Sequence, residues 1–128
     1  MITGIHHIVI SVSNLDESIE FYRRLGFEVD KVDSKQGMAG FFDRAFMKSG
    51  KALVELVCFR NKREKQDDTM LKPGGKIASF EVDDLEAFCR ELKNKGIKLT
   101  LEPKEGTRWQ YAQIRDNDGF LIEFMGSA

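Results

Sequence analysis

The sequence has little of three features that would point to a nucleic acid, an oxidising compartment or a membrane. The net charge is −1 over 128 residues and no basic block stands out, so nothing electrostatic supports a nucleic-acid partner. The two cysteines, Cys58 and Cys89, lie in apolar patterns and are expected to be buried thiols rather than a disulfide. No apolar run approaches the roughly 20 residues of a membrane helix, and the first residues do not resemble a signal peptide. We therefore expect a soluble, cytoplasmic protein that binds neither nucleic acid nor membrane.

A repeat with a period of 70 residues organises what the sequence does contain. Each copy begins with an alternating strand, followed by polar capping residues, an amphipathic helix and a glycine suited to a helix C-cap. The capping pairs are Ser13-Asn14 and Asp83-Asp84. Four identities recur without a gap: Gly4, Val12, Leu15 and Gly26 match Gly74, Val82, Leu85 and Gly96.

Three further strands are predicted after each helix. They are Phe27–Val32, Phe41–Lys48 and Ala52–Phe59 in the first copy, and Ile97–Leu101, Trp109–Arg115 and Phe120–Met125 in the second. The predicted fold class is therefore α+β, with two tandem βαβββ modules forming a curved mixed sheet around a central cleft. We expect one domain, with module 1 at about 1–60, a linker at about 61–73 and module 2 at about 74–128. A cleft between two repeats is where a small-molecule site is expected.

Three polar residues occupy strand faces where apolar side chains are the default. His7 alternates with Val9 and Ser11, while Glu55 and Glu123 lie within apolar final strands of the two copies. One imidazole and two carboxylates suit a divalent ion, and three protein ligands leave positions open for substrate. The alternatives are a structural, hydrogen-bonded histidine and glutamates that face solvent.

Other polar and aromatic residues are weaker candidates. His6 is expected on the face opposite His7 and in a structural role. The facing of four more side chains is not fixed by the sequence, and they are candidates for a cleft mouth: Arg44, Arg108, Trp109 and Tyr111.

Several segments of the sequence resemble a known family. The segments His6–Leu15, Ser18–Tyr22 and Leu25–Phe27 resemble the opening of glyoxalase I and its relatives, and Phe80–Leu85 and Asp116–Glu123 resemble their second half. By this resemblance the chain is identified as a member of the vicinal oxygen chelate superfamily, over essentially its whole length. The superfamily includes glyoxalase I, bleomycin resistance proteins and extradiol dioxygenases, so the resemblance fixes no single reaction.

The resemblance implies metal ligands on the first and last strand of each half. His7, Glu55 and Glu123 match three of them, and the fourth falls at Ile77, which cannot ligate a metal. The arginine with which glyoxalase I holds a glutathione carboxylate falls at Ser11, so the use of glutathione is left open.

The activity that the resemblance implies is that of a metal-dependent lyase or isomerase of the lactoylglutathione lyase type. A substrate with vicinal oxygens would bind beside a divalent Ni, Zn, Mn, Co or Fe ion, and the catalytic Glu123 or Glu55 would move a proton between neighbouring carbons. The alternative is a ligand-sequestering protein of the bleomycin-resistance kind, which Ile77 favours. The resemblance also implies a homodimer that takes a small-molecule substrate.

Overall fold

The structure is a computed structural model that describes residues 1–37, 40–60, 73–104 and 109–127. Of the predicted linker at 61–73, only Pro73 is among these residues, and Arg108 also lies outside them. The chain divides into two compact units, Met1–Lys65 and Gln66–Ala128.

The first unit has the predicted βαβββ order. Its elements are β1 (Ile8–Ser11), α1 (Leu15–Arg24), β2 (Glu28–Gly37), β3 (Gly40–Ser49) and β4 (Ala52–Phe59). The four strands form one sheet in the order β1-β4-β3-β2, in which β1 runs parallel to β4 and the other pairs are antiparallel. The final strand of the unit therefore lies between its first and third strands.

Helix α1 begins and ends as its sequence predicts. The side chain of Asn14 accepts a hydrogen bond from the Glu17 backbone N–H at 3.1 Å, and Gly26 takes the left-handed conformation at φ 106°. Beneath the helix lies an apolar core in which Tyr22, Met47, Val54 and Leu56 are fully buried.

The second unit repeats the plan with a smaller sheet. Its elements are β5 (Ile77–Glu81), α2 (Leu85–Asn94), β6 (Trp109–Arg115) and β7 (Leu121–Ser127). The strand order is β5-β7-β6, with β5 parallel to β7 and β6 antiparallel to it. Asp84 caps α2 by accepting a hydrogen bond from Ala87 N–H at 3.0 Å. The two sheets and two helices confirm the α+β class.

The predicted strand Ile97–Leu101 is wrong as a full strand. The Ile97 N–H donates to the Leu92 carbonyl at 2.9 Å, so the start of this segment closes α2 instead of pairing with a sheet. Only its end reaches β6, through an isolated antiparallel bridge between Leu101 and Gln113. Within the described residues, the second unit is therefore a βαββ arrangement with one added bridge.

Two further features concern the cysteines and the length of the helices. Cys58 and Cys89 are buried thiols that form no disulfide, as predicted, and burial raises the pKa of the Cys89 thiol. In the part of the chain that the structure covers, no helix is long and apolar enough to cross a membrane.

Candidate functional site

Glu55 and Glu123 occupy equivalent positions in the two units. In the parallel pair of β1 and β4, Val9 lies opposite Glu55, and in the pair of β5 and β7, Ser79 lies opposite Glu123. Val9 and Ser79 are 70 positions apart, which is the period of the repeat. The backbone therefore sets each glutamate at the same place on its own sheet.

Glu55 is a buried carboxylate with basic neighbours at both oxygens. The residue is 8% exposed. Its Oε1 lies 3.2 Å from His7 Nε2, and its Oε2 lies 3.8 Å from Arg44 Nη1. A buried carboxylate without such partners would cost several kcal/mol or become protonated, so these neighbours make the position tenable.

His7 directly precedes β1 and is held from two sides. Its Nδ1 lies 2.8 Å from Nδ1 of His6, so one of the two rings donates and the other accepts. Its ring also meets that of Phe46 edge-on at 5.9 Å between centroids. These contacts leave Nε2 of His7 directed at Glu55. His6, expected on the opposite face, contacts His7 directly.

Arg44 is a candidate site residue whose facing could not be predicted from the sequence. Its Nε donates to Asp33 Oδ1 at 2.5 Å and its Nη2 to Asp33 Oδ2 at 3.2 Å, which gives a two-pronged contact. Its guanidinium carbon lies 4.9 Å from the centroid of the Phe46 ring. The Arg44 hydrogen bond lowers the pKa of Asp33 to about 2, with a further contribution from Lys31. The same bond raises the pKa of Arg44.

Together these side chains form a line across one face of the four-stranded sheet, here called the charged row: Lys31, Asp33, Arg44, Glu55 and His7. Strand register explains the alignment. Asp33 lies opposite Arg44, and Glu55 lies opposite both Phe46 of β3 and Val9 of β1. With neutral His7 the formal charges of the row cancel.

The hydrogen-bond donors to Glu123 among the described residues are neutral. Ser79 Oγ donates to its Oε2 at 2.8 Å, and Gln113 Nε2 donates to its Oε1 at 3.2 Å. The position equivalent to His7 is held by Ile77, since His7 and Ile77 each precede an equivalently paired residue, Ile8 and Ala78. Ile77 is 39% exposed. The second unit therefore offers a hydrogen-bonded carboxylate beside an exposed apolar side chain.

The His7–Glu55 pair has the donor chemistry of a divalent-metal site. Consider two ligand atoms that each lie about 2.1 Å from one ion. If the ligand–metal–ligand angle is between the octahedral and the tetrahedral value, the two atoms are about 3.0–3.4 Å apart. The 3.2 Å separation between His7 Nε2 and Glu55 Oε1 falls in this interval, and it is also the distance of a direct contact between the imidazole and the carboxylate. Among the described residues, no group of three or more His, Cys, Asp or Glu side chains is arranged to hold a metal ion. The three-residue ligand set that includes Glu123 stays a prediction.

Each unit also carries an open cavity of small-molecule size. In the first unit a cavity of about 400 Å³ lies at the start of α1, and its lining includes Asn14, Ser34 and Asp43. In the second unit a cavity of about 460 Å³ is lined by Ser79, Phe80, Glu81 and Met125. Ser79, one residue of this lining, is also the hydroxyl donor to Glu123.

Comparisons with known proteins show the family to which the chain is similar. The family model for the Glyoxalase/Bleomycin resistance protein/Dioxygenase superfamily matches residues 4–124. A protein named "Probable lactoylglutathione lyase" from Synechocystis sp. is 30% identical, over 93% of this chain and 92% of its own. One of the same name from Vibrio parahaemolyticus is also 30% identical, over 93% and 87%. A solved glyoxalase family protein from Bacillus cereus has the same fold, with a TM-score of 0.79, 20% identity and coverage of 99% and 95%.

The matched segment contains every element from β1 to β6 and most of β7, so it includes His7, Glu55 and Glu123. The chain therefore belongs to the Glyoxalase/Bleomycin resistance protein/Dioxygenase superfamily.

Proposed function

We propose that the protein is a metal-dependent lyase or isomerase of the glyoxalase type, acting on a small substrate with vicinal oxygens. The observation that carries the proposal is the 3.2 Å contact between His7 and the buried Glu55, which joins an imidazole and a carboxylate on one face of a sheet. The two relatives named as lactoylglutathione lyases support this class of reaction.

His7, Glu55 and Glu123 are the residues that would hold the metal in this proposal. A bound divalent ion would supply Lewis-acid stabilisation for negative charge on the adjacent oxygens of the substrate. Ni, Zn, Mn, Co and Fe all accept a mixed imidazole and carboxylate ligand set.

The protein's own side chains then move the proton. Glu123 accepts hydrogen bonds from two neutral donors, Ser79 and Gln113, which orient its carboxylate. In the proposed reaction Glu123 or Glu55 takes a proton from one carbon of the substrate and returns it to the neighbouring carbon. The contact with His6 orients the His7 ring so that its Nε2 remains directed at Glu55.

The second candidate function is sequestration of a ligand without chemistry. Ile77 favours it, because an apolar side chain stands on the first strand of the second unit where the repeat has His7 in the first. In this case Glu55 needs no cation, since His7 and Arg44 already approach its two oxygens.

Elemental analysis of protein purified without chelator separates the two functions. The proposal expects a bound divalent metal that is lost in Glu55→Gln, together with isomerase activity toward a small substrate with vicinal oxygens. Glu28→Gln is the matched control, since Glu28 is an exposed glutamate on β2. Absence of metal in the parent protein, with an unchanged fold and no isomerase activity, would leave sequestration as the better account.

We also propose that the protein is a homodimer, as the family resemblance implies. Light scattering over micromolar concentrations is expected to return twice the 14.6 kDa mass of the chain. A mass equal to that of one chain throughout this range would contradict the dimer.

A further inference from the structure

Arg44 is more enclosed and more tightly oriented than a surface arginine. Its side chain is only 17% exposed, and Asp33 fixes one edge of the guanidinium by contacts to Nε and Nη2. The flat face of the group lies against the Phe46 ring. Since the planar fork is already ordered, a further hydrogen bond costs little side-chain entropy.

One edge of this guanidinium is not used by Asp33. Nη1 faces Glu55 Oε2 at 3.8 Å, which is an electrostatic contact beyond hydrogen-bond distance. Arg44 thus keeps charged N–H donors beside the His7–Glu55 pair. A carboxylate is the group that best matches such donors.

The charges around Arg44 decide whether an anion is tolerated there. The charge of Asp33 is offset by its two bonds to Arg44 and by Lys31, whose Nζ lies 3.4 Å from Asp33 Oδ2. Glu55 is shared with His7, and in the proposed function it also serves a cation. With that cation bound the charged row carries net positive charge, which favours an anion.

We propose that Arg44 is a substrate-binding residue that holds a carboxylate of the substrate next to the His7–Glu55 pair. The substrate class is then an acid that also carries vicinal oxygens. The inference rests on the proposed function for the identity of the bound acid as the substrate.

The test compares glycolate with glycolamide, which have nearly the same shape but differ in charge. Titration calorimetry of the purified protein is expected to show tighter binding of glycolate than of glycolamide. Arg44→Met should weaken glycolate binding about 10- to 100-fold, the value of a charge-assisted hydrogen bond, and leave glycolamide unchanged. Arg44→Lys keeps the charge without the planar fork and should lose about 10-fold.

Arg60→Met is the matched control. Arg60 also pairs with an aspartate, Asp43 at 2.9 Å, and its guanidinium carbon lies 5.5 Å from the centroid of a phenylalanine ring, that of Phe41. This change should leave glycolate affinity as in the parent protein. Circular dichroism confirms that each variant is folded, and the comparison of glycolate with glycolamide in the parent needs no variant.

The inference is overturned if the parent binds glycolate no better than glycolamide. It is also overturned if folded Arg44→Met and Arg44→Lys proteins keep parental affinity for glycolate, because Arg44 would then serve only the internal ion pairs. Failure of the proposed function would give a different set of results. It would leave the protein without metal or isomerase activity, whereas these titrations measure only anion binding.

Discussion

Glu55 and Glu123 lie at matching places in their two units, yet their surroundings differ in charge. Glu55 lies between His7 and Arg44, at 3.2 and 3.8 Å. Glu123 accepts hydrogen bonds from the neutral side chains of Ser79 and Gln113, at 2.8 and 3.2 Å. The same backbone position therefore holds a carboxylate with basic partners in one unit and a carboxylate hydrogen-bonded by neutral side chains in the other.

The difference comes from the neighbouring strands. Arg44 lies opposite Val57 of β4, two residues beyond Glu55, and Tyr111 lies opposite Met125 of β7, two residues beyond Glu123. Tyr111 is thus the counterpart of Arg44 in the second unit. Among the described residues, the second unit thus has a phenol and Ile77 at the positions where the first has the guanidinium of Arg44 and the imidazole of His7. A duplicated scaffold can in this way assign different tasks to equivalent carboxylates.

The largest expected effect separates the tasks of the two glutamates. Glu55→Gln should lower metal content more than Glu123→Gln does, because Glu55 shares its site with the imidazole of His7. Glu123→Gln should lower kcat about 10²- to 10⁴-fold, the usual contribution of general acid–base catalysis. Metal content by elemental analysis and kcat on one substrate measure both. Equal effects of the two variants on both readings would contradict the assignment of different tasks.

Next in size is a matched change in the core of each unit. Leu56 of β4 and Leu92 of α2 are 0% and 1% exposed. Leu56→Ala and Leu92→Ala should each lower the free energy of unfolding by about 2–5 kcal/mol, from lost burial and the cavity left behind. Urea denaturation followed by circular dichroism measures the loss. A cost below about 1 kcal/mol in either variant would show that the core of that unit is not packed as described.

A smaller effect is expected when the second unit is given the imidazole it lacks. Ile77→His restores a ligand type at the position equivalent to His7 and should tighten Ni²⁺ or Zn²⁺ binding about 10-fold, since imidazole is a strong ligand for both. Titration calorimetry gives the affinity. The neighbouring change Lys76→His is the control, because adjacent strand residues point to opposite faces. Equal gains from both would mean that the added histidine, rather than its position, raises the affinity.

The order and most of the bounds of the helices and strands could be predicted from the sequence, because they depend on local signals. Asn14 and Asp84 cap the helices as their residue types predict, and β4 spans Ala52–Phe59 as its apolar run predicts. The prediction of a full strand at Ile97–Leu101 was wrong, because alternating apolar residues do not show that the Ile97 N–H donates to a carbonyl of the preceding helix.

The partners of Arg44 could not be predicted for a related reason. The register of β2 and β3 shifts between Val29 and Lys31, and this shift decides that Asp33 lies opposite Arg44. Alternation along either strand gives no sign of the irregularity. Candidate ligands on apolar strands could be identified in the sequence. The charged row could not, because it runs from β2 across β3 and β4 to the residue before β1 and therefore depends on register.

The smallest expected effect concerns the pH dependence of the first unit. Asp33 has a pKa lowered to about 2 from an ordinary value of 3.8, chiefly by its hydrogen bond from Arg44. A lowered folded-state pKa means that the unfolded chain takes up the proton more readily, so the stabilisation is complete above about pH 4 and is lost as the pH falls from about 4 towards 2. The effect is modest because the Asp33 side chain is 25% exposed and solvent screens the pair. Asp33→Asn should therefore flatten the fall in stability over this interval, as measured by urea midpoints at a series of pH values. Asp30→Asn, the same change on the same strand at a carboxylate 4.0 Å from Lys48, is the control. A parental pH profile in Asp33→Asn would show that the Arg44 contact does not stabilise the fold, and the orientation of the guanidinium by Asp33 would then lose its support.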